Sequence, residues 1–462
     1  MPMGLGLGLG LGRGGAGGSA ALAALAGADG LAMFASDDSM AINHAATPAN
    51  NFQGTPGAQL TTARATAAMY WDADGLLKSA ATGTLRRDFD PRLSSTTERC
   101  GYLIEEARTN LALQTNAYTN AAWTATNLTM TEDQVDGPLG AATMALGTES
   151  SATATLRCTN AITVVSSSVY TISAFLKRGN SDWVRLIAGD STGFTNACRG
   201  WFNLATGAAG TTNTAGSGWS ISGSTITAVG GGVYRCTITI TAGGTSLYIG
   251  AMTAGGDNNT NRADVGSGNG VGSTYYVDCH QVELGSFASS YIPTAGSTVT
   301  RAADLVTLAG TLFPLNQSEG TLYAKWMCMG LSSANQYALG LNDGTLNEFM
   351  GILRNSSLKA NSLLTAGGSN QLGPGGVGLV STANVSNLSQ SKSAFGYKLN
   401  DCAVAQAGES VQNDTSCIMP STTTLVLGNF LSGTPRPLNG WLFEAMYAPT
   451  RLTDVQLAAL AA

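Results

Sequence analysis

Paired carboxylates are the first residues in this 462-residue chain whose spacing suggests chemistry. Asp72 and Asp74 in Ala68-Met-Tyr-Trp-Asp-Ala-Asp-Gly-Leu-Leu77 lie two apart, so on a strand they share a face, as a general acid and base would. The same two residues lead into Asp74-Gly75 between alternating apolar runs, a hairpin signal, and the spacing favours turn formation over catalysis. Glu105 and Glu106 are adjacent, and on an extended segment they point to opposite faces, which separates them as an acid–base pair. The two histidines, His44 and His280, have no Gly-x-Ser-x-Gly elbow to serve, and no Gly-rich stretch runs into Gly-Lys-Ser/Thr. A non-enzyme is therefore expected, although two carboxylates anywhere in a fold suffice for glycoside hydrolysis. Asp257, Asn259, Asn261 and Asp264 cluster hard oxygen donors as a calcium site would, without the Gly and terminal Glu of an EF-hand. An ordinary surface turn is the competing reading, and no other cofactor is expected.

Composition narrows the setting. Charged residues make up 11% of the chain and the net charge is −6, with no Lys/Arg run, so the basic stripe that holds nucleic acid is missing. The eight cysteines are scattered without Cys-x-x-Cys spacing, which argues against a zinc site. Cys236 keeps step with Tyr234, Ile238 and Ile240 and is expected on the buried face of a strand. Cys402 and Cys417 flank a polar loop and are the pair to test for a bridge. In the Leu/Gly repeat at the N-terminus the first cation, Arg13, follows the apolar residues rather than preceding them, unlike a signal peptide. No uncharged apolar run reaches the roughly 20 residues of a membrane span. Residues 1–59 are read as a low-complexity segment, either a flexible tail or an anchor that orders on docking.

The elements that must carry any site are strands. Tyr170–Leu176, Trp183–Ile187, Tyr234–Ile240, Leu247–Ile249 and Tyr275–Cys279 are short runs bounded by Gly, Asn, Asp or Ser, and most alternate. The pattern restarts after Asp304, with Gly320–Trp326, Gln336–Leu341, Phe349–Leu353, Ser393–Leu399, Thr423–Gly428 and Gly440–Tyr447. Thr453-Asp-Val-Gln456 is a capping box opening a short helix, with Val455, Leu457 and Leu460 on its apolar side. The expected fold is all-β: two tandem antiparallel jelly-roll β-sandwiches behind a flexible Gly/Leu-rich N-terminal segment. The expected divisions are 1–59, a hairpin preface at 60–112, a first sandwich at 113–308, and a second at 313–462 with the helix.

Residues 60–305 carry a family resemblance. Asp72-Ala-Asp-Gly75, Gly101-Tyr-Leu-Ile-Glu-Glu-Ala-Arg-Thr-Asn-Leu111, Phe202–Gly207, Tyr234-Arg-Cys236, Gln281-Val-Glu283, Tyr291-Ile-Pro-Thr294 and Thr300-Arg-Ala-Ala-Asp304 resemble the frame of bacteriophage tail, fibre and prophage surface proteins. Where that family reads Gly-x-Gly-Trp-Tyr-Arg, this chain has Val233 before Tyr234-Arg235, and Val233 is expected to be core. The C-terminal region is similar in layout to concanavalin-like and laminin-G-like lectin domains.

The resemblance implies a virion surface protein of tail or capsid fibre, made in the host cytoplasm, homotrimeric, joined to other virion proteins through its N-terminal segment, and holding host cell-surface polysaccharide. A tail-spike depolymerase and a purely structural decoration protein are the alternatives. Sugar binding needs aromatic faces with polar groups beside them. The candidates are Trp183, Arg185, Trp201 and Trp219 in the first sandwich and Tyr337, Asn342, Asp343 and Arg354 in the second. Glu105, Glu106, Arg108, Arg301 and Asp304 sit at module edges and are expected to pair with one another as seams.

Overall fold

Alternation with a period of two builds this molecule, because it lets each strand turn one row of apolar side chains toward a facing sheet. The computed structural model describes residues 31–34 (backbone only), 60–95, 100–151, 154–259, 271–313, 315–331, 334–430 and 436–462. It is all-β, with antiparallel pairing throughout and one α-helix among the described residues.

In the first sandwich, one sheet runs Ser220–Gly230, Val233–Thr241, Val169–Arg178, Thr274–Leu284, Gly140–Glu149, Leu128–Gly137. The facing sheet runs Ala208–Ala215, Ala197–Asn203, Trp183–Gly189, Ser246–Ala254, Thr155–Cys158, Trp123–Thr126. Ile172, Ala174, Leu176, Cys236, Ile238 and Ile240 point inward against Val184, Leu186, Phe202 and Ile249, so Cys236 is the small core residue its phase requires. Val233 is also buried, but on the other face, where it meets Trp71 and Phe175 beneath the hairpin Ala68–Trp71/Leu77–Ala80. That hairpin turns as its sequence demands. Asp72 Oδ1 accepts from the amides of Asp74 (3.0 Å) and Leu76 (2.8 Å), and Gly75 supplies a φ of +77° that L side chains rarely adopt. Asp72 is committed to the turn.

The second sandwich has Trp326, Tyr397, Leu442 and Tyr447 facing Leu339, Met350, Ile352 and Leu425 in its core. Its strands are drawn from both ends of the described chain. Gly101–Ile104 pairs with Gly440–Ala448, Tyr102 lying opposite Leu442, and Arg86–Asp88 pairs with Gly101–Ile104 in turn. In the opposite sheet Thr61–Thr62 pairs with Val306–Ala309, which pairs with Thr424–Leu427. Of the segment 60–112, expected as a separate preface, the strands Thr61–Thr62, Arg86–Asp88 and Gly101–Ile104 thus join the C-terminal sandwich while the hairpin packs on the first, and 306–309 belongs to the C-terminal sandwich and not to the first. The first sandwich is an insertion within the second. The physical reason is edge satisfaction: an open strand edge takes a partner regardless of how many residues intervene. The backbone of Leu31–Phe34 likewise lies antiparallel to the Gly440–Ala448 strand, Leu31 opposite Tyr447. The other residues of the expected N-terminal tail, His44 among them, lie outside the described residues.

The helix Asp454–Ala461 opens with the capping box: Thr453 Oγ1 accepts from the Gln456 amide, and the Gln456 side chain accepts from the Thr453 amide. Its buried side is Leu457, Leu460 and Ala461, and Val455 is 80% exposed, correcting its placement on the apolar face. At about 100° per residue, Val455 lies some 200° around from Leu457.

The two bracketing blocks meet at the seam. Arg86 donates through Nη1 to Glu105 (2.8 Å) and through Nη2 to Asp304 (2.5 Å), while Arg64 reaches Asp304 (2.8 Å) and Arg301 reaches Glu105 (2.9 Å). Ser290 from the closing block gives its amide (2.8 Å) and hydroxyl (2.7 Å) to Glu105. Burial by itself would raise the Glu105 carboxyl, but Arg301, then Arg86, then the Ser290 hydrogen bonds outweigh it and hold it at about 2. Glu106 points the other way, to Arg108 and Asn439, as adjacent strand positions must.

Candidate functional site

The face of the first sandwich turned toward the second carries a row of hydroxyls. On Val233–Thr241, Tyr234, Cys236, Ile238 and Ile240 face the core, while Arg235, Thr237 and Thr239 share the opposite face with Thr225 and Thr227 of the neighbouring strand. Thr225 and Thr237 are in register and their hydroxyls are 2.5 Å apart. Thr171 and Thr239 are 3.3 Å apart on the next strand over. Threonine suits this position: its branched Cβ favours strand, and its hydroxyl gives or takes a hydrogen bond.

These threonines floor a groove of about 260 Å³ between the sandwiches. Trp71 of the hairpin closes one side, edge-on to Phe175 at 5.9 Å. The other side is Phe287, Met329, Asn387 and Leu388, of which Asn387 and Leu388 are exposed at the rim. Phe287 is seated against Gly330, where an added Cβ would lie 2.7 Å from Phe287 Cβ, so the glycine is what lets this wall approach.

Two guanidiniums enter the groove. Arg92 is held bidentately by Asp90 (Nε to Oδ1 2.8 Å, Nη2 to Oδ2 2.7 Å) over the Trp441 ring. Arg235 is buried over the Phe175 ring at 5.6 Å, and Nη2 donates to Ser173 Oγ at 3.2 Å. Burial first, and then the charge of Arg92, lower its pKa, with Glu283, Asp90 and Glu105 opposing. Aromatic edges, hydroxyls and cations in one open groove can pack a sugar ring while meeting its polar substituents. Arg235 falls within the Tyr234-Arg-Cys236 motif but is not one of the binding candidates chosen from the sequence. The available signal was its phase, an arginine in step with Thr237 and Thr239 on the polar side of a strand.

The eight candidates chosen from the sequence lie elsewhere. Trp183, Arg185 and Trp201 are brought together on the outer face of the other sheet, with Arg185 in register with Trp201. Trp183 is half-buried. Trp201 is 1% exposed and donates to the Asn259 carbonyl (3.0 Å), and Arg185 is buried beside it. Trp219 packs into the sandwich core. In the second sandwich Tyr337 is buried against Phe349 and Phe430. Arg354 is fully buried, spending its donors on Gln336, Gly330 and Asn387. Asn342 and Asp343 accept amides two residues on, from Gly344 and Thr345, which makes them turn residues.

Of the calcium candidates, Asp257 accepts from the Thr211 amide (2.7 Å) and hydroxyl (2.8 Å), and Asn259 meets Trp201. Asn261 and Asp264 lie outside the described residues. Among the described residues no three His, Cys, Asp or Glu side chains converge as a metal site would require. His280 is fully buried, its Nδ1 2.9 Å from the Tyr118 hydroxyl, and burial lowers its pKa to about 3. No described helix is long and apolar enough to cross a membrane.

No protein-family model and no curated protein matches the chain. Among solved structures, it is similar to the carbohydrate-binding module CBM40 of the Ruminococcus gnavus IT-sialidase, bound there to α2,3-sialyllactose. That match has 14% identity over 32% of this chain and 83% of that one, with a TM-score of 0.26. Domain 4 of AbnA, a GH43 extracellular arabinanase from Geobacillus stearothermophilus in complex with arabinotriose, is similar at 11% identity. It spans 38% of this chain and 82% of that one, with a TM-score of 0.27. Domains LG4-5 of the mouse laminin α1 chain match at 10% identity over 65% of this chain and 85% of that one, with a TM-score of 0.20. The functional reading rests on the groove itself.

Proposed function

We propose that the protein is a non-enzymatic phage virion surface adhesin that holds host cell-surface glycan in the groove between its two sandwiches. The observation that carries this reading is the juxtaposition of Trp71 and Phe287 with the threonine row and Arg235 in one solvent-reaching groove of about 260 Å³. That volume lies just below the range of pockets that enclose small ligands, so the groove would grip part of a longer chain. The virion setting is drawn from the resemblance of the bracketing blocks 101–111 and 290–304 to phage surface proteins. Weak binding at each groove becomes firm attachment when copies are held together, as in a trimer.

A glycan array probed with the full chain, followed by calorimetry on the hits, tests the binding. Substituting Thr237 and Thr225 together by valine removes the hydroxyls while keeping the strand's shape, and should weaken glycan binding about tenfold. Binding untouched by that double substitution would place the glycan elsewhere, and no bound glycan at all would overturn the reading in favour of a decoration protein. Sustained release of reducing sugar from a bound polysaccharide would replace adhesin by depolymerase.

A further inference from the structure

Resting on that reading of the groove, we propose that the group it selects is anionic: Arg235 receives the carboxylate or sulfate of an acidic saccharide residue. A guanidinium offers five N–H donors and a full positive charge. Among the described residues the hydrogen bond found for Arg235 goes to the neutral Ser173 hydroxyl, and its buried Nε has no partner. The residue is 8% exposed and lines the groove.

The nearby carboxylates are already committed. Asp90 is taken bidentately by Arg92, and Glu283 accepts from Ser289 and Gln281. Among the described residues no carboxylate oxygen comes within ion-pair distance of Arg235. A buried cation without a counter-charge is costly, and a neutral sugar hydroxyl would fill a donor without balancing the charge. An anionic substituent does both, and the planar fork of arginine matches carboxylate and sulfate oxygens. Thr237 and Thr239 on the Arg235 strand line the same groove and can meet the ring hydroxyls.

The test uses the full chain and three probes in titration calorimetry: trigalacturonate, its methyl ester, and N-acetylglucosamine 6-sulfate. Arg235→Gln removes the charge, and Arg235→Lys keeps it without the fork. Thermal unfolding checks that both variants fold. The expected result is binding of trigalacturonate or of the sulfated sugar, with the methyl ester about tenfold or more weaker. The preferred probe tells carboxylate from sulfate. Arg235→Gln should erase the preference over neutral sugar, Arg235→Lys should retain part of it, and added salt should weaken binding to the wild type more than to the glutamine variant. Equal binding of trigalacturonate and its ester, or a preference untouched in Arg235→Gln, would overturn the inference. If only neutral glycans bind, and do so through Thr225 and Thr237, the anionic inference fails while the adhesin reading stands. If no probe and no array glycan binds, both fail.

Discussion

Arg86 and Asp304 are 218 residues apart in the chain and 2.5 Å apart in the fold, joined by an ion pair closed to solvent on both sides. Asp304 also takes Arg64, so Asp304→Asn leaves two buried guanidiniums short of a counter-charge. We expect a loss of about 3–5 kcal/mol in unfolding free energy by urea titration. A midpoint equal to the wild type would show that the seam is not what holds the sandwiches.

Glu105 makes the same seam sensitive to acid. Its folded value of about 2 lies below its ordinary 4.5, so the stability it contributes is fully present above 4.5 and is lost as pH falls toward 2. The stability gap between wild type and Glu105→Gln should therefore narrow by roughly 3 kcal/mol across that window. Thermal unfolding at stepped pH measures it, and a pH-independent gap would contradict the pairing.

Asp278 carries the opposite sign. Its carboxyl is buried, with Oδ2 unpartnered and Oδ1 accepting from the Cys279 amide at 2.8 Å. Burial pushes it up to about 7 against the hydrogen bonds that favour the carboxylate. A raised acid loses stability as pH climbs from its ordinary value through 7, because the fold must then hold a charge it disfavours. Asp278→Asn should be the more stable protein at pH 8, by roughly 2–4 kcal/mol, with little difference near pH 4. Equal melting curves at pH 8 would refute this.

Cys402 and Cys417, both free thiols buried in the second sandwich, have their sulfurs 2.7 Å apart. Equilibration with oxidised glutathione should close a bridge between them, while alkylation under reducing conditions after unfolding should find every thiol free. Tying residues 15 apart should raise stability by about 3 kcal/mol. Intact mass after alkylation reports the bridge, and two alkylated thiols after oxidation would rule it out.

Trp183 and Trp201 share a sheet face but not a role. Trp201→Ala should cost about 3–5 kcal/mol, since its indole is buried and bonded to Asn259. Trp183→Ala should cost under about 2 kcal/mol. If the two losses were reversed in unfolding experiments, the burial assigned to them would be wrong.

Much of the local structure was legible in residues close together in the chain. The Asp72–Gly75 turn, the strand containing Cys236 and the Thr453 capping box each depend on neighbours a few positions apart, and all formed where their spacing placed them. Val455 is off the buried side for a reason the helical period already contains, since it lies about 200° from Leu457. The burial of the aromatic candidates was not legible. Trp201, Trp219 and Tyr337 have the composition of a ligand platform, yet a side chain's exposure depends on what covers it, and no periodicity carries that.

The sequence by itself determined that this protein is made of antiparallel strands, where most of them run, and that charged blocks at 101–111 and 300–304 sit at seams. Alternation and turn chemistry are local, so they are written in the order of residues. Only the tertiary structure decided that Tyr102 lies opposite Leu442, that the first sandwich is inserted in the second, and that Arg235 looks into a groove walled by Trp71 and Leu388. Those choices are made by edges and faces finding partners across hundreds of residues, and the energy that selects them exists only once both surfaces are present.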